Sequence, residues 1–152
     1  MALNAYEVRS VKRRLESYQD LLAMAAEKDR EALLKQAEYE DLATPGCIRY
    51  DRDPGGSGTG KPKESVYLEI FSGQLEAERK AAQYRMEAEQ IRRFIERIED
   101  ESKEILKLAY LDGKRYWEIG RDIGYSKDTI HKKIGRCLEQ IPSSIAEASG
   151  LI

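Results

Sequence analysis

Apolar positions near the start of the chain fall at helical spacing. Val8, Val11, Leu15, Tyr18, Leu22 and Ala25 follow one another at intervals of 3, 4, 3, 4 and 3, the seam of a heptad-patterned helix. The seam falters at Asp29 and resumes, shifted, through Leu33 and Ala37. Charges of both signs fill the positions between, as on a solvated face. The pattern predicts one long helix over 4–42, ended by Pro45 and Gly46. A second seam, Tyr84, Ala88, Ile91, Ile95 and Ile98, predicts a long helix over about 65–100. The large side chains on both seams are expected in a packed core. Narrow seams on charged helices need a partner, because an isolated helix is marginal in water. These two can fold back as a hairpin or pair with another copy of the chain.

The segment 101–141 has a shorter rhythm. Ile105, Leu108, Ala109 and Leu111 give a first apolar face, closed by Asp112-Gly113. Tyr116, Ile119 and Ile123 share one face of a second helix over about 115–123, with Gly120 between them to let another helix approach. Gly124 breaks it. Ser126 is a good N-cap for a third helix that runs to about Gln140, with Ile130, Ile134, Cys137, Leu138 and Ile141 inward. Two short helices joined by the turn Gly124-Tyr125-Ser126 have the length and punctuation of a helix-turn-helix. The expected organisation is an N-terminal helix over 1–44, a loop over 45–64, a second long helix over 65–100, a helix-turn-helix domain over 101–141 and a tail over 142–152. The fold class is all-α, a helical arm with a C-terminal helix-turn-helix domain.

Composition agrees. Charged residues make up 36% and apolar residues 41% of the 152, the balance of long solvated helices rather than a thick core. Cys47 and Cys137 are far apart and have no C-x-x-C partner, so no metal or redox motif is present. No run of 18 apolar residues occurs, which excludes a membrane span, and MALNAYEVRSVKRR lacks the apolar stretch of a secretory leader. A cytoplasmic protein is expected.

The stretch GGSGTGKPK, residues 55–63, has the G-x-x-x-x-G-K spacing of a phosphate-binding loop. Such a loop follows a buried strand and ends in Ser or Thr, whose hydroxyl holds magnesium. Here Pro62 follows Lys61. Proline has no hydroxyl and no backbone N–H. The preceding residues are too charged for a central strand, so no nucleotide is expected. His131 is the only histidine and cannot form a metal site alone. No residue set supports an enzyme, and no cofactor is implied.

In a helix-turn-helix the second helix enters the major groove of DNA. Removing the core positions from the third helix leaves Lys127, Asp128, Thr129, His131, Lys132, Lys133 and Arg136. Each can bond to a base edge or a phosphate. Lys127, Asp128, Thr129, His131, Lys132 and Arg136 are expected to face bases, and Lys114, Arg115, Ser126 and Lys133 to hold phosphates. Residues 113–141 hold 7 Lys and Arg against 4 Asp and Glu, a balance of +3, whereas the other 123 residues hold 19 against 24, a balance of −5. A basic module on an acidic chain fits nucleic-acid binding. Gly135 within that helix costs about 1 kcal/mol relative to Ala and suggests that something approaches closely. Trp117 is a candidate partner contact.

The run from Tyr116 to Ile134, YWEIGRDIGYSKDTIHKKI, resembles the helix-turn-helix in region four of bacterial sigma factors. The layout of helical arm, Gly/Pro-rich middle and C-terminal helix-turn-helix is similar to phage late-gene transcription regulators of the ArpU/RinA type. The resemblance implies a C-terminal domain of three or four helices, with the 126–138 helix reading DNA, and activation of phage or prophage late genes. Double-stranded DNA is the expected partner, with RNA polymerase a second candidate and a homo-oligomer, a dimer foremost, the expected assembly. Two other functions fit a helix-turn-helix joined to a helical region: a DNA-packaging protein like a phage small terminase, and an interaction protein that binds no DNA.

Overall fold

The computed structural model describes residues 1–43 and 63–152. The Gly55–Pro62 stretch and Cys47 lie outside the described residues. Among those described there is no β-strand. The chain is all-α, with one isolated antiparallel bridge between Ala2 and Pro142. The helices are α1 (Ala5–Glu16), α2 (Tyr18–Ala43), α3 (Lys63–Glu96), α4 (Asp100–Leu106), α5 (Tyr116–Ile123), α6 (Lys127–Gln140) and α7 (Ser143–Ala148). A wide π-turn, Lys107–Leu111, continues α4.

The expected single helix over 4–42 is two helices. At Ser17 the hydroxyl and the backbone N–H both donate to the carbonyl of Arg14, at 2.6 and 3.2 Å. Such a local bond competes with the helical ladder, and the seam changes register there. Val11 and Leu15 are buried as expected, but beyond the break Leu21 is buried and Leu22 exposed. Ala25, a position of the expected seam, is buried, and Ala32 follows it one heptad on, leaving Leu33 and Ala37 exposed. On α3 the expected seam holds at Ala88, Ile91 and Ile95, with Phe94 fully buried beside it; Tyr84 is half-buried, and Ile98 is buried just past the helix end.

The chain divides into two compact units. The larger comprises Met1–Leu22 and Arg85–Ile152, the smaller Ala23–Tyr84. In the larger unit α6 packs against α1, α4 and α5. Its largest fully buried side chains are Val11, Leu15, Ile91, Phe94, Ile95, Leu106, Ile119, Ile130 and Leu138. The segment expected as a tail belongs to this core. Ala146 and Leu151 are buried, and the Ser143 N–H donates to the Met1 carbonyl at 2.7 Å. Arg14 fastens it further, donating to Gln90 Oε1 at 3.0 Å and to the Gly150 carbonyl at 3.5 Å.

In the smaller unit α2 and α3 run antiparallel. Tyr67 meets Tyr39 ring to ring at 5.2 Å and donates to the Leu42 carbonyl at 2.7 Å, while Lys35 lies over Gly73. The buried positions are Ala25, Ala32, Ile70, Ala77 and Ala81. Four alanines in five allow close backbone approach, but they supply little apolar area.

Candidate nucleic-acid interface

The candidate site rests on α5, a three-residue turn and α6. Gly124 ends α5 in the left-handed region, at φ 97°, which glycine adopts without steric cost. The N–H groups of Gly124 and Tyr125 both donate to the Gly120 carbonyl, at 2.7 and 2.8 Å. A Cβ on Gly120 would stand 2.3 Å from the Tyr125 carbonyl oxygen. Gly120 therefore admits the backbone of the turn, not the neighbouring helix expected there. Ser126 caps α6, its Oγ accepting from the Thr129 N–H at 3.2 Å.

Ahead of α5, Gly113 closes the preceding segment with φ 69°. The π-turn alters the inward face expected there. Ile105 is buried as expected, but Leu106 and Tyr110 take the other inner positions, and Leu108, Ala109 and Leu111 are half-buried. A π-turn holds more residues than an α-turn, so side chains after Lys107 rotate away from α-helical register. Burial raises the Tyr110 hydroxyl pKa well above its ordinary value, with Tyr116 adding to the shift. That hydroxyl has no hydrogen bond of ordinary geometry among the described residues.

Ile130, Ile134 and Leu138 fix the inner face of α6. At 3.6 residues per turn the opposite stripe is Asp128, Lys132, Gly135, Arg136 and Glu139, all exposed. Lys127 is exposed in the first turn. Lys127, Lys132 and Arg136 make no ion pair or hydrogen bond among the described residues. His131 stands on the flank beside α5, its ring 5.7 Å from that of Tyr116. Thr129 is half-buried, its hydroxyl 2.8 Å from that of Ser126. The stripe thus joins Asp128, Lys132 and Arg136, while Thr129 and Ser126 bond to each other at the cap. A Cβ at Gly135 would meet nothing within 4 Å among the described residues, so none of them uses the room it leaves.

The expected phosphate-holding residues differ in their surroundings. Arg115 is exposed and without a partner among the described residues. Lys114 pairs with Asp122 at 3.0 Å, a hydrogen bond that raises its pKa. Lys133 lies over the Tyr125 ring at 4.6 Å and 3.8 Å from Glu101. Glu101 also raises the Tyr125 pKa through a hydrogen bond. Exposed pairs of this kind are worth about 0–1 kcal/mol, so either lysine can exchange its carboxylate for a phosphate at small cost.

Trp117 is half exposed on the outer side of α5, with the Arg121 guanidinium 5.4 Å from its ring centroid. Arg121 was not among the expected site residues, although its spacing of one turn from Trp117 was visible in the sequence. The Glu101 contacts are tertiary and carry no local signal. Burial pushes the Cys137 thiol pKa up, so it is held as the thiol. Among the described residues no cluster of His, Cys, Asp or Glu could hold a metal, and no helix is long and apolar enough to cross a membrane.

A family model described as "protein of unknown function (DUF1492)" matches residues 42–141, 100 of the 152 residues. The matched span takes in α3 to α6. No curated protein and no solved structure matches the chain.

Proposed function

The chain belongs to the DUF1492 family, and for it we propose sequence-specific binding of double-stranded DNA by α6, in the service of transcription regulation. The observation that carries the proposal is the unpaired basic stripe. On α2 and α3 several cations pair with carboxylates about one helical turn away: Lys28 with Glu31, Lys80 with Glu76, Arg92 with Glu89. Lys103 and Lys107 both reach Glu96. Lys127, Lys132 and Arg136 make no such pair among the described residues, although Asp128 and Glu139 stand one turn from Lys132 and Arg136, and they lie on the face that a major groove would receive. The open room at Gly135 lets a groove wall approach the helix backbone. The likeness of 116–134 to sigma region four supports the same docking.

In this reading Arg115, Lys114 and Lys133 hold phosphates and set the register of the helix on the duplex. Lys127, Asp128, Lys132 and Arg136 face base edges, with His131 and Thr129 at the flanks. The Trp117–Arg121 pair offers a surface to a protein partner such as RNA polymerase. Activation of phage or prophage late genes is the process that the resemblance suggests. Pairing of the chain would present two α6 helices to successive major grooves about 34 Å apart.

Arg136→Ala separates base reading from phosphate holding. If Arg136 reads a guanine, the substitution costs about 1–3 kcal/mol on the selected duplex and little on a scrambled one. Equal losses on both, with the salt slope reduced by about 1, place it on a phosphate. An unchanged affinity for both duplexes would contradict the assignment of the α6 stripe.

A further inference from the structure

The smaller unit carries an apolar face that its own fold leaves uncovered. The α2 register after Ser17 turns Ala25 and Ala32 inward, so Leu33 and Leu34 point outward, 64% and 71% exposed. On α3, Leu68, Phe71 and Leu75 follow at intervals of 3 and 4 and are also largely exposed. Leu33 and Glu78 line one groove of about 330 Å³ with Ala32 at its floor. Phe71 and Leu75 share a helix face with Glu78, since 71, 75 and 78 follow at 4 and 3. Leu33 on α2 and Phe71 and Leu75 on α3 therefore flank one groove of the hairpin, whereas Leu34, one residue on, stands on another side of α2. Monomeric proteins scatter such side chains singly; a contiguous set marks an interaction site.

We propose that this face pairs with the same face of a second copy, forming an antiparallel four-helix bundle about a two-fold axis near Leu33 and Leu75. The shape is self-complementary. Leu33 lies at the middle of the 23–43 segment and Leu75 near the middle of 63–84, so a two-fold axis there superposes apolar centre on apolar centre. Charge fixes the direction. The hairpin tip, residues 36–43 and 63–70, holds Glu38, Glu40, Asp41, Glu64 and Glu69 against Lys63, a balance of −4. The opposite end, 23–31 and 78–84, holds four acids and four bases. Parallel pairing would set tip beside tip, −4 against −4. Antiparallel pairing sets each acidic tip beside the partner's neutral end, where Lys28, Arg30, Arg79 and Lys80 lie. The alanine-rich core of the hairpin gives this pairing a second role, since it completes a layer that four alanines and Ile70 only begin.

The inference does not depend on DNA binding, because the face lies on other residues. Sedimentation velocity of the full chain at about 1–100 µM tests it, with Leu33→Glu/Leu75→Glu as the disrupting variant and Tyr6→Glu, exposed on α1 in the larger unit, as control. The expected result is a particle of twice the 17.4 kDa chain mass for the native chain and the control. The double variant should dissociate at least about 30-fold more readily with unchanged helical circular dichroism. A native chain monomeric throughout, or a dimer that survives the double variant, would overturn the proposal. Should the variant lose helicity, single-cysteine chains in a background lacking Cys47 and Cys137 decide. Leu75→Cys must cross-link to its own copy and Tyr39→Cys must not; the reverse pattern overturns the antiparallel arrangement.

Discussion

Gly120 and Gly135 lie on adjacent helices and have opposite roles. At Gly120 a methyl group would meet a carbonyl oxygen at 2.3 Å, whereas at Gly135 it would meet nothing among the described residues. Gly120→Ala should therefore lower stability by about 1–3 kcal/mol through overpacking, as read by urea unfolding. Gly135→Ala should raise it by up to about 1 kcal/mol, since alanine is the better helix former. If Gly135→Ala also weakens DNA binding while stabilising the fold, the room at that position is kept for the duplex. Tyr110 offers a second residue-scale test. Its hydroxyl is buried without a well-formed hydrogen bond, so Tyr110→Phe should be neutral or stabilising by about 1 kcal/mol. Its folded pKa is raised, so the native state keeps the proton to higher pH than the unfolded chain does. That contribution is fully present below the unfolded value of about 10 and is lost as pH rises above it. Thermal melts between pH 8 and 11 should fall less steeply for Tyr110→Phe than for the native chain.

At the scale of elements, α5, its turn and α6 depend on local chemistry. Ser126→Ala removes the α6 cap and should cost about 0.5–2 kcal/mol, measured by thermal or urea denaturation. These elements were legible in the sequence because each boundary carries its own residue. Gly113 and Gly124 supply left-handed ends, Ser126 the cap, and Ile130, Ile134 and Leu138 the inward face. The N-terminal helical stretch and its seam positions Val11, Leu15 and Ala25 were legible, but not the break at Ser17 that puts Leu21 inward in place of Leu22. The Ser17 whose hydroxyl bond makes that break looks in sequence like one more tolerated helical serine. The π-turn at 107–111 misled in the same way, because helical periodicity assumes a constant residue count per turn. In the site, the outward stripe of Lys132 and Arg136 could be read from spacing alone, but not that they stay unpaired, because Asp128 and Glu139 stand one turn from them. The pairing of Lys133 with Glu101 could not, since the two are brought together by the packing of α4 on α6.

At the scale of the molecule, the two compact units differ in what holds them. The larger has a core of Ile, Leu, Val and Phe drawn from both ends of the chain; the smaller has alanines and an outward apolar face. Surface carboxylates on α2 and α3 are held below their ordinary pKa by hydrogen-bonded cations, Glu31 by Lys28 and Glu89 by Arg92. Lowered folded values give stability that is present above the ordinary Glu range and lost as pH falls through the folded values. Acid titration followed by circular dichroism should show that loss begin below about pH 4.3. The central claim is DNA recognition by α6. Its most direct test is selection of duplexes from a random-sequence pool by the purified full chain, followed by titration at low and near-physiological salt with native and Lys132→Ala/Arg136→Ala protein. One enriched sequence should emerge, with binding that survives the higher salt and is lost in the double variant. Binding with no enriched sequence, disappearing with salt alike for every duplex, would contradict it.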